Sequence, residues 1–352
     1  MSRTFSAAEK SCRRGQSRAW SGAIAGIALA MLFFAASIAG WARAEAKQTE
    51  ALDLAQQAYE HYDYRKAVQL LQAMVNRDPQ NGDVQLLLAK SYYEMEQWDA
   101  AVSSAERAVA IHPDNSNYHE WLGRAYGEKA DRAGGFAALS LARKTHKELE
   151  TAVRLDERNF SATQALIEYD CSAPGIAGGG EDKARVLIKR LAELDAAEGH
   201  YAEGNCRRHK KDYATAEVEF AKALESKPKS ADLIYDIADH EMKRGQPERL
   251  LKVVETGKQL DAGDPRGEYY RGVALVMKKE KPEEAEQLLR EYLKISPIRT
   301  GYPRPAEAHY WIGKLYENQN NTQAATGEYQ AAVKLDARNK LAREALKKIG
   351  KG

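Results

Sequence analysis

Four stretches of this chain carry residues whose types and spacing could do chemistry. "APGIAGGGEDKA", residues 173–184, sets glycines just before a helix start. Gly175 and Gly180 have the spacing of a phosphate-binding loop, G-x-x-x-x-G-K-[ST], in which backbone amides and a lysine hold the phosphates. Glu181 stands where the lysine is needed and Asp182 where the hydroxyl is needed. Two carboxylates at a helix N-terminus compete for those amides and exclude phosphate. No strand pattern precedes the loop. The stretch therefore reads as a turn between two helices: Pro174 stops the first, the glycines reverse the chain, and Glu181 and Asp182 cap the second.

His119-Glu120 and His240-Glu241 could each open an H-E-x-x-H zinc motif, but Gly123 and Arg244 occupy the fifth positions. Cys206 and His209, with His200 nearby, make a metal site one ligand short. They stand beside Arg207, Arg208, Lys210 and Lys211, whose charge repels a cation. There is no G-x-S-x-G elbow. No catalytic residue, metal or cofactor is expected. An enzyme or metal-dependent protein centred on 170–210 stays as the alternative that an activity screen and a metal assay would detect.

The elements that must hold these residues are helical. From about residue 50 onward apolar residues recur at helical spacing, without a strand pattern. Ahead of that body, residues 21–40, "SGAIAGIALAMLFFAASIAG", carry no charge and follow a basic segment, and Ala42-Arg43-Ala44 suits a signal peptidase. Residues 1–44 read as a secretory signal peptide, or alternatively as an uncleaved signal anchor, because about 20 apolar residues can span a bilayer. Either way the positive-inside bias sends the rest out of the cytosol. The expected location is the periplasm, or the inner membrane with the body facing the periplasm. Residues 1–44 hold six of the 53 basic residues and one of the 51 acidic ones. The remainder has 47 basic and 50 acidic residues, a net charge of −3. A body so near neutrality gives no electrostatic reason to bind nucleic acid. The basic run 207–212 reads as a helix end and a solvated turn.

The body repeats. Pro79 and Pro113 lie 34 residues apart, as do Ala55 and Ala89, and Ala67 and Ala101. Small residues at fixed points of two helices let the backbones approach, and a ring fills the wedge beside them. The pattern returns at Gly123 and Tyr126, at Gly204, Ala216, Phe220 and Pro228, at Gly272 and Pro297, and at Gly313, Ala325, Tyr329 and Ala332. This resembles the tetratricopeptide repeat family, in the form of an exported bacterial-type member, and the resemblance covers nearly all of the chain beyond the signal.

The resemblance implies an all-α fold, a right-handed α-solenoid of helix pairs. The units fall at 48–81, 82–115, 116–159, 160–196, 197–230, 231–264, 265–305 and 306–339, with a polar capping helix over 340–350. Three units depart from the 34-residue norm. The third has a long second helix, the fourth holds the glycine run, and the seventh runs on through "ISPIRTGYPRPAE", which is expected to set its neighbours slightly apart.

The resemblance also implies a concave groove, lined by the first helix of each pair, where a protein or peptide partner lies. The expected function is an exported, non-catalytic scaffold. The alternative is a membrane-tethered assembly or secretion factor of the cell envelope, which would touch the membrane only if the N-terminal segment is retained. Chaperone-tail binders of the family use a Lys/Asn/Arg clamp, but the early positions here are mixed (Leu86, Lys90, Glu120, Arg124), so that role is not carried over. Tyr201, Tyr235, Tyr269 and Tyr310 take the fifth place of four first helices and could line the groove as a tyrosine ladder. Alternatively they pack between adjacent first helices. Cys171 and Cys206 fall on neighbouring first helices, within reach of a disulfide across the fourth unit. The alternative is two small buried residues that never pair.

Overall fold

The structure, a computed structural model, describes residues 49–294 and 301–350. Residues 1–48, and with them the signal segment, lie outside the described residues. The described chain holds α-helices, one short 3-10 turn and no strand. The first pair is α1 (49–60) and α2 (Tyr64–Val75), the second α3 (Gly82–Glu94) and α4 (Trp98–Ile111), the third α5 (Ser116–Arg132) and α6 (Gly135–Leu155). Then come α7 (Phe160–Ser172) with α8 (Glu181–Leu194), α9 (Ala196–His209) with α10 (Tyr213–Glu225), and α11 (Ala231–Lys243) with α12 (Pro247–Leu260). The last pairs are α13 (Pro265–Lys278) with α14 (Pro282–Tyr292) and α15 (Pro305–Asn318) with α16 (Thr322–Leu335), followed by α17 (Lys340–Ile349). The chain is an all-α solenoid.

Local chemistry sets the helix ends. Asp63, Asn81, Asn115, Asp212, Ser230 and Asn321 each accept an amide hydrogen bond from the first turn that follows them. Pro247, Pro265, Pro282 and Pro305 open their helices, where a missing N–H costs nothing. The eighth position of the first helix is the close approach within a pair. A Cβ on Gly204 would stand 2.5 Å from the Phe220 ring, and one on Gly313 2.5 Å from the Tyr329 ring. Ala101 and Ala216, on the facing second helices, are fully buried.

The apolar core runs along the array as patches between neighbours. The largest patch joins α10 to α15 around Phe220, Tyr235, Tyr269, Leu289 and Tyr292. The patch at the fourth unit is small, built on Ile167, Ala184, Leu191, Ala202 and Cys206. At the end, α17 lays Ala342 and Ala345 on Ala325, Tyr329 and Ala332. Lys340, Lys347 and Lys348 face away, which closes the stack with a polar surface.

Two departures from the 34-residue norm explain each other. Helix α6 runs 21 residues, and its extra length seats the glycine loop of the next unit. Arg143 donates to the Ile176 carbonyl at 3.1 Å, and the Tyr169 hydroxyl lies 2.8 Å from the carbonyls of both Ala142 and Ala177. Gly178 takes φ 105°, a left-handed conformation that suits glycine, and lies against the His146 ring. His146 in turn meets Asp170 at 3.1 Å. One expectation needs correction. Gly180 is the N-cap of α8, and no side chain caps that helix. Glu181 and Asp182 stand in its first turn, where they suit the helix dipole and pair with Lys210 and Arg185.

The seventh unit departs most. Of its proline-rich stretch, residues 295–300 lie outside the described residues. Residues 301–304 cross to the N-terminal end of the array. The Tyr302 ring packs on Tyr62 at 6.0 Å between centroids, and Arg304 donates to Glu96 Oε1 at 2.8 Å, a contact across 208 residues. Among the described residues no helix is long and apolar enough to cross a membrane.

Candidate protein-binding groove

One cavity of about 730 Å³ lies inside the curl of the array. Its walls come from the first helices of seven successive units, α3 through α15, and residues 301–303 lie over it. The lining positions recur within each unit: the second, fifth, sixth and ninth residues, which share one face of a helix. The second places supply Glu198, Asp232, Arg266 and Glu307, and the ninth supply Arg124, Glu168, Asn205 and Asp239.

Seven carboxylates and two guanidinium groups line this cavity. Both guanidinium groups are already engaged. Arg124 pairs with Glu120 at 2.9 Å and binds Ser161. Arg266 is 3% exposed and grips Asp264 through Nε and a terminal nitrogen at 3.0 and 2.6 Å, while its other terminal nitrogen reaches Asp232 at 2.7 Å. Burial works against its charge, but Asp264 outweighs that and holds the guanidinium above its ordinary value. Arg266 also lies between two rings, 4.7 Å from Tyr235 and 4.3 Å from Tyr302, so it ties residues 301–303 to the groove wall.

Three of the carboxylates are less well compensated, whereas Asp236 pairs with Arg208 at 2.9 Å and Glu168 with His209 at 3.3 Å. Burial pushes Glu307 above the ordinary carboxylate range, and nearby Asp239 adds to the rise. Asp239 is itself raised by burial despite its pair with Lys243. Burial raises Glu198 as well, against a hydrogen bond from Gln164. Asn205 is 5% exposed, and its Oδ1 has no hydrogen-bond partner.

The four tyrosines do not form one ladder. Tyr201 and Tyr235 line the cavity; Tyr269 and Tyr310 do not. The Tyr201 hydroxyl donates to Asp236 on the next first helix at 3.1 Å. The Tyr235 ring stacks on Tyr270 of α13 at 6.0 Å, and its hydroxyl is buried where Gly257 and Gly267 leave room. Tyr269 is fully buried against Tyr270 and Tyr292, and Tyr310 packs on Tyr329. The fifth place lies on the seam between adjacent helices, and the neighbouring sixth place brings Tyr270 to the groove instead.

Cys171 and Cys206 are joined by a disulfide, with Cα atoms 5.4 Å apart. The two histidines near Cys206 turn to separate acids: His200 to Glu219 at 2.7 Å, His209 to Glu168 at 3.3 Å. His119 meets Glu148 at 2.6 Å, and His309 meets Glu328 at 2.6 Å. The pairs of His119, His200 and His309 join the two helices of a unit, each from the fourth place of its first helix.

His240-Glu241 is likewise structural. The His240 ring packs 5.0 Å from Phe220, and burial with nearby Arg208 pushes it down to about 4. Burial pushes Glu241 up to about 6. The two act in opposite directions. The stability tied to neutral His240 is complete above its unfolded value near 6.5 and is lost as pH falls toward 4, by about 3 kcal/mol. The stability tied to protonated Glu241 is present below its unfolded value near 4.5 and is lost as pH rises through about 6, by about 2 kcal/mol. Urea unfolding from pH 4 to 7 is expected to show a shallower acid loss for His240→Gln and a gain at pH 7 for Glu241→Gln. Wild-type slopes in both variants would mean that neither group is held in its buried state.

Comparison with known proteins matches this geometry. Residues 58–125 and residues 306–339 each match a family model described as tetratricopeptide repeat. Intraflagellar transport protein 70B of Mus musculus is 24% identical over 180 residues, half of this chain and 25% of its own length. Intraflagellar transport protein 70A2 of Rattus norvegicus is 26% identical over 182 residues, again 25% of its length. The chain thus aligns with about a quarter of the length of the curated relatives it matches. Among solved structures, yeast Tom70 superposes with a TM-score of 0.55 at 14% identity, over 82% of this chain and 59% of that one. With the helix pairs, the small-residue contacts at the eighth position and the repeat matches at both ends, the chain is a tetratricopeptide repeat protein.

Proposed function

We propose that the protein is an exported, non-catalytic scaffold that seats an extended segment of a partner protein in the cavity inside its curl. The observation that carries this reading is the cavity of about 730 Å³ walled by the first helices of seven units. Proteins of this repeat family generally bind protein partners. The uncharged run at 21–40 supports export to the periplasm. The residues that first suggested chemistry take part in packing the fold: the glycine loop on α6, Cys206 in a disulfide, His119, His200 and His209 on acids, and His240 on Phe220.

A photo-crosslinking amino acid at Trp121 or Tyr201, on the groove wall, is expected to capture a partner in the intact envelope. The same probe at Val218, which is 53% exposed on α10 and does not line the cavity, is expected to capture none. Capture from Val218 alone would overturn the groove reading. N-terminal sequencing of the exported protein tests the address, because cleavage after Ala44 releases the body and retention of 21–40 leaves it membrane-tethered.

A further inference from the structure

We infer that the segment this groove selects is basic: an extended stretch whose lysine or arginine side chain enters between α9, α11 and α15, beside Asn205, Asp236, Asp239 and Glu307. This rests on the scaffold reading above and adds the chemistry of the guest.

Two independent features point to a donor-bearing ligand. The first is charge. Seven carboxylates share the cavity with two guanidinium groups, and both of those are engaged by acids or hydroxyls of the chain itself. The charge on Asp239 disfavours that on Glu307, and Asp236 in turn disfavours the charge on Asp239. A cation placed among them would relieve that repulsion, and burial in the groove would strengthen the attraction. The second is the unmet acceptor. Asn205 Oδ1 is buried on the same wall without a partner, and such a group is costly unless a donor reaches it. An ammonium or guanidinium group carries several donors and no acceptor, so it satisfies both features at once.

The walls suit the rest of such a side chain. Tyr201, Tyr270 and Trp121 present rings to the cavity. Trp121 already carries Lys90 and Arg124 over its ring at 4.9 and 5.8 Å. The chain also shows this kind of contact within itself. Arg304 lies in an extended, proline-flanked segment and gives its guanidinium to Glu96 at the rim. An acidic segment would meet the same carboxylates as like charges, so the groove selects against it.

The test uses the exported body with its disulfide intact and three fluorescent dodecapeptides, built from repeats of Lys-Ala-Ser, Gln-Ala-Ser and Glu-Ala-Ser. Anisotropy is expected to show binding of the lysine peptide only, weakening as salt is added. Asp239→Asn and Glu307→Gln should each weaken it about tenfold, the loss of one charge-assisted contact. Asp182→Asn, on an exposed acid far from the cavity lining, should leave it unchanged. Thermal melts check folding. Neutralising Asp239 and Glu307 should not lower the melting temperature, because their charge is disfavoured in the folded state. Equal binding of the lysine and glutamine peptides, lost on Tyr201→Ala, would overturn the charge inference and leave the scaffold reading standing. Lysine-peptide binding unaffected by both groove variants would also overturn it. Capture of the natural partner only from the Val218 probe would remove the scaffold reading itself.

Discussion

Arg266→Ala is expected to destabilise the protein by about 3–5 kcal/mol, read by urea unfolding, because it leaves a buried carboxylate without its counter-charge. The Asp264 side chain is 4% exposed and accepts from Nε and a terminal nitrogen of Arg266, besides accepting the Arg266 amide as the cap of α13. Removing the guanidinium strips the acid of all but the cap bond. The loss is larger than for an exposed pair, which would contribute about 0–1 kcal/mol. A second substitution separates the two causes. In Arg266→Met with Asp264→Asn no buried charge is left unpaired, since Asp232 is exposed, and asparagine still caps the helix, so most of the loss should be recovered. The same guanidinium lies between Tyr235 and Tyr302, so amide exchange at Gly301 and Tyr302 should quicken in Arg266→Ala. A loss below about 1 kcal/mol, with exchange unchanged, would show that Arg266 anchors neither Asp264 nor the crossing segment.

The helix pairs were legible in the sequence because each rests on a steric need that repeats. The eighth place of the first helix must be small, since a ring or a branched side chain of the second helix fills the space beyond it. Ala89 and Gly123 announce this 34 residues apart, as do Gly204, Ala238 and Gly272 in succession. The turns were legible from their caps and prolines. The crossing of residues 301–304 was not. It depends on the rotation accumulated over several units, and no 34-residue pattern records that rotation. "GYPRP" reads as a linker until Glu96 and Tyr62 are seen to lie within its reach.

The groove was half legible. The fifth place of the first helix suggests either a groove lining or packing between adjacent first helices, and its four tyrosines stand out because they are large and evenly spaced. Even spacing says only that the residues share a place. It does not say which way that place faces, and Tyr269 shows the fifth place turned into the core. The second, sixth and ninth places carry the acids that give the cavity its charge: Glu198, Asp232, Asp236, Asp239 and Glu307. Net charge hid them, because basic residues elsewhere on the surface balance the sum. The recurrent histidines were also visible at the fourth place of three units. His119 was weighed as a zinc ligand with Glu120 beside it, whereas its partner is Glu148 on the other helix of its own pair.

The disulfide carries the other large effect. Cys171→Ser with Cys206→Ser is expected to cost about 4 kcal/mol in the oxidised protein, from the loop of 35 residues that the bond closes. The bond lies where the array has least else to hold it. The apolar patch at the fourth unit is small, and the glycine loop interrupts the pair. Cys171 is on the first helix of the fourth unit and Cys206 on that of the fifth, so the bond ties together the two halves of the array on either side of α8. In a solenoid each unit is stabilised mainly by its neighbours, so loosening one junction weakens the coupling along the chain. Unfolding of the double variant, or of the wild type under reductant, should therefore lose its single transition and show two, with the larger C-terminal patch around Tyr269 and Tyr292 melting last. Mass analysis of the protein purified without reductant should find both thiols oxidised. Two free thiols there, or a variant that unfolds in one step at the wild-type midpoint, would remove the bond from the account of how the array holds together.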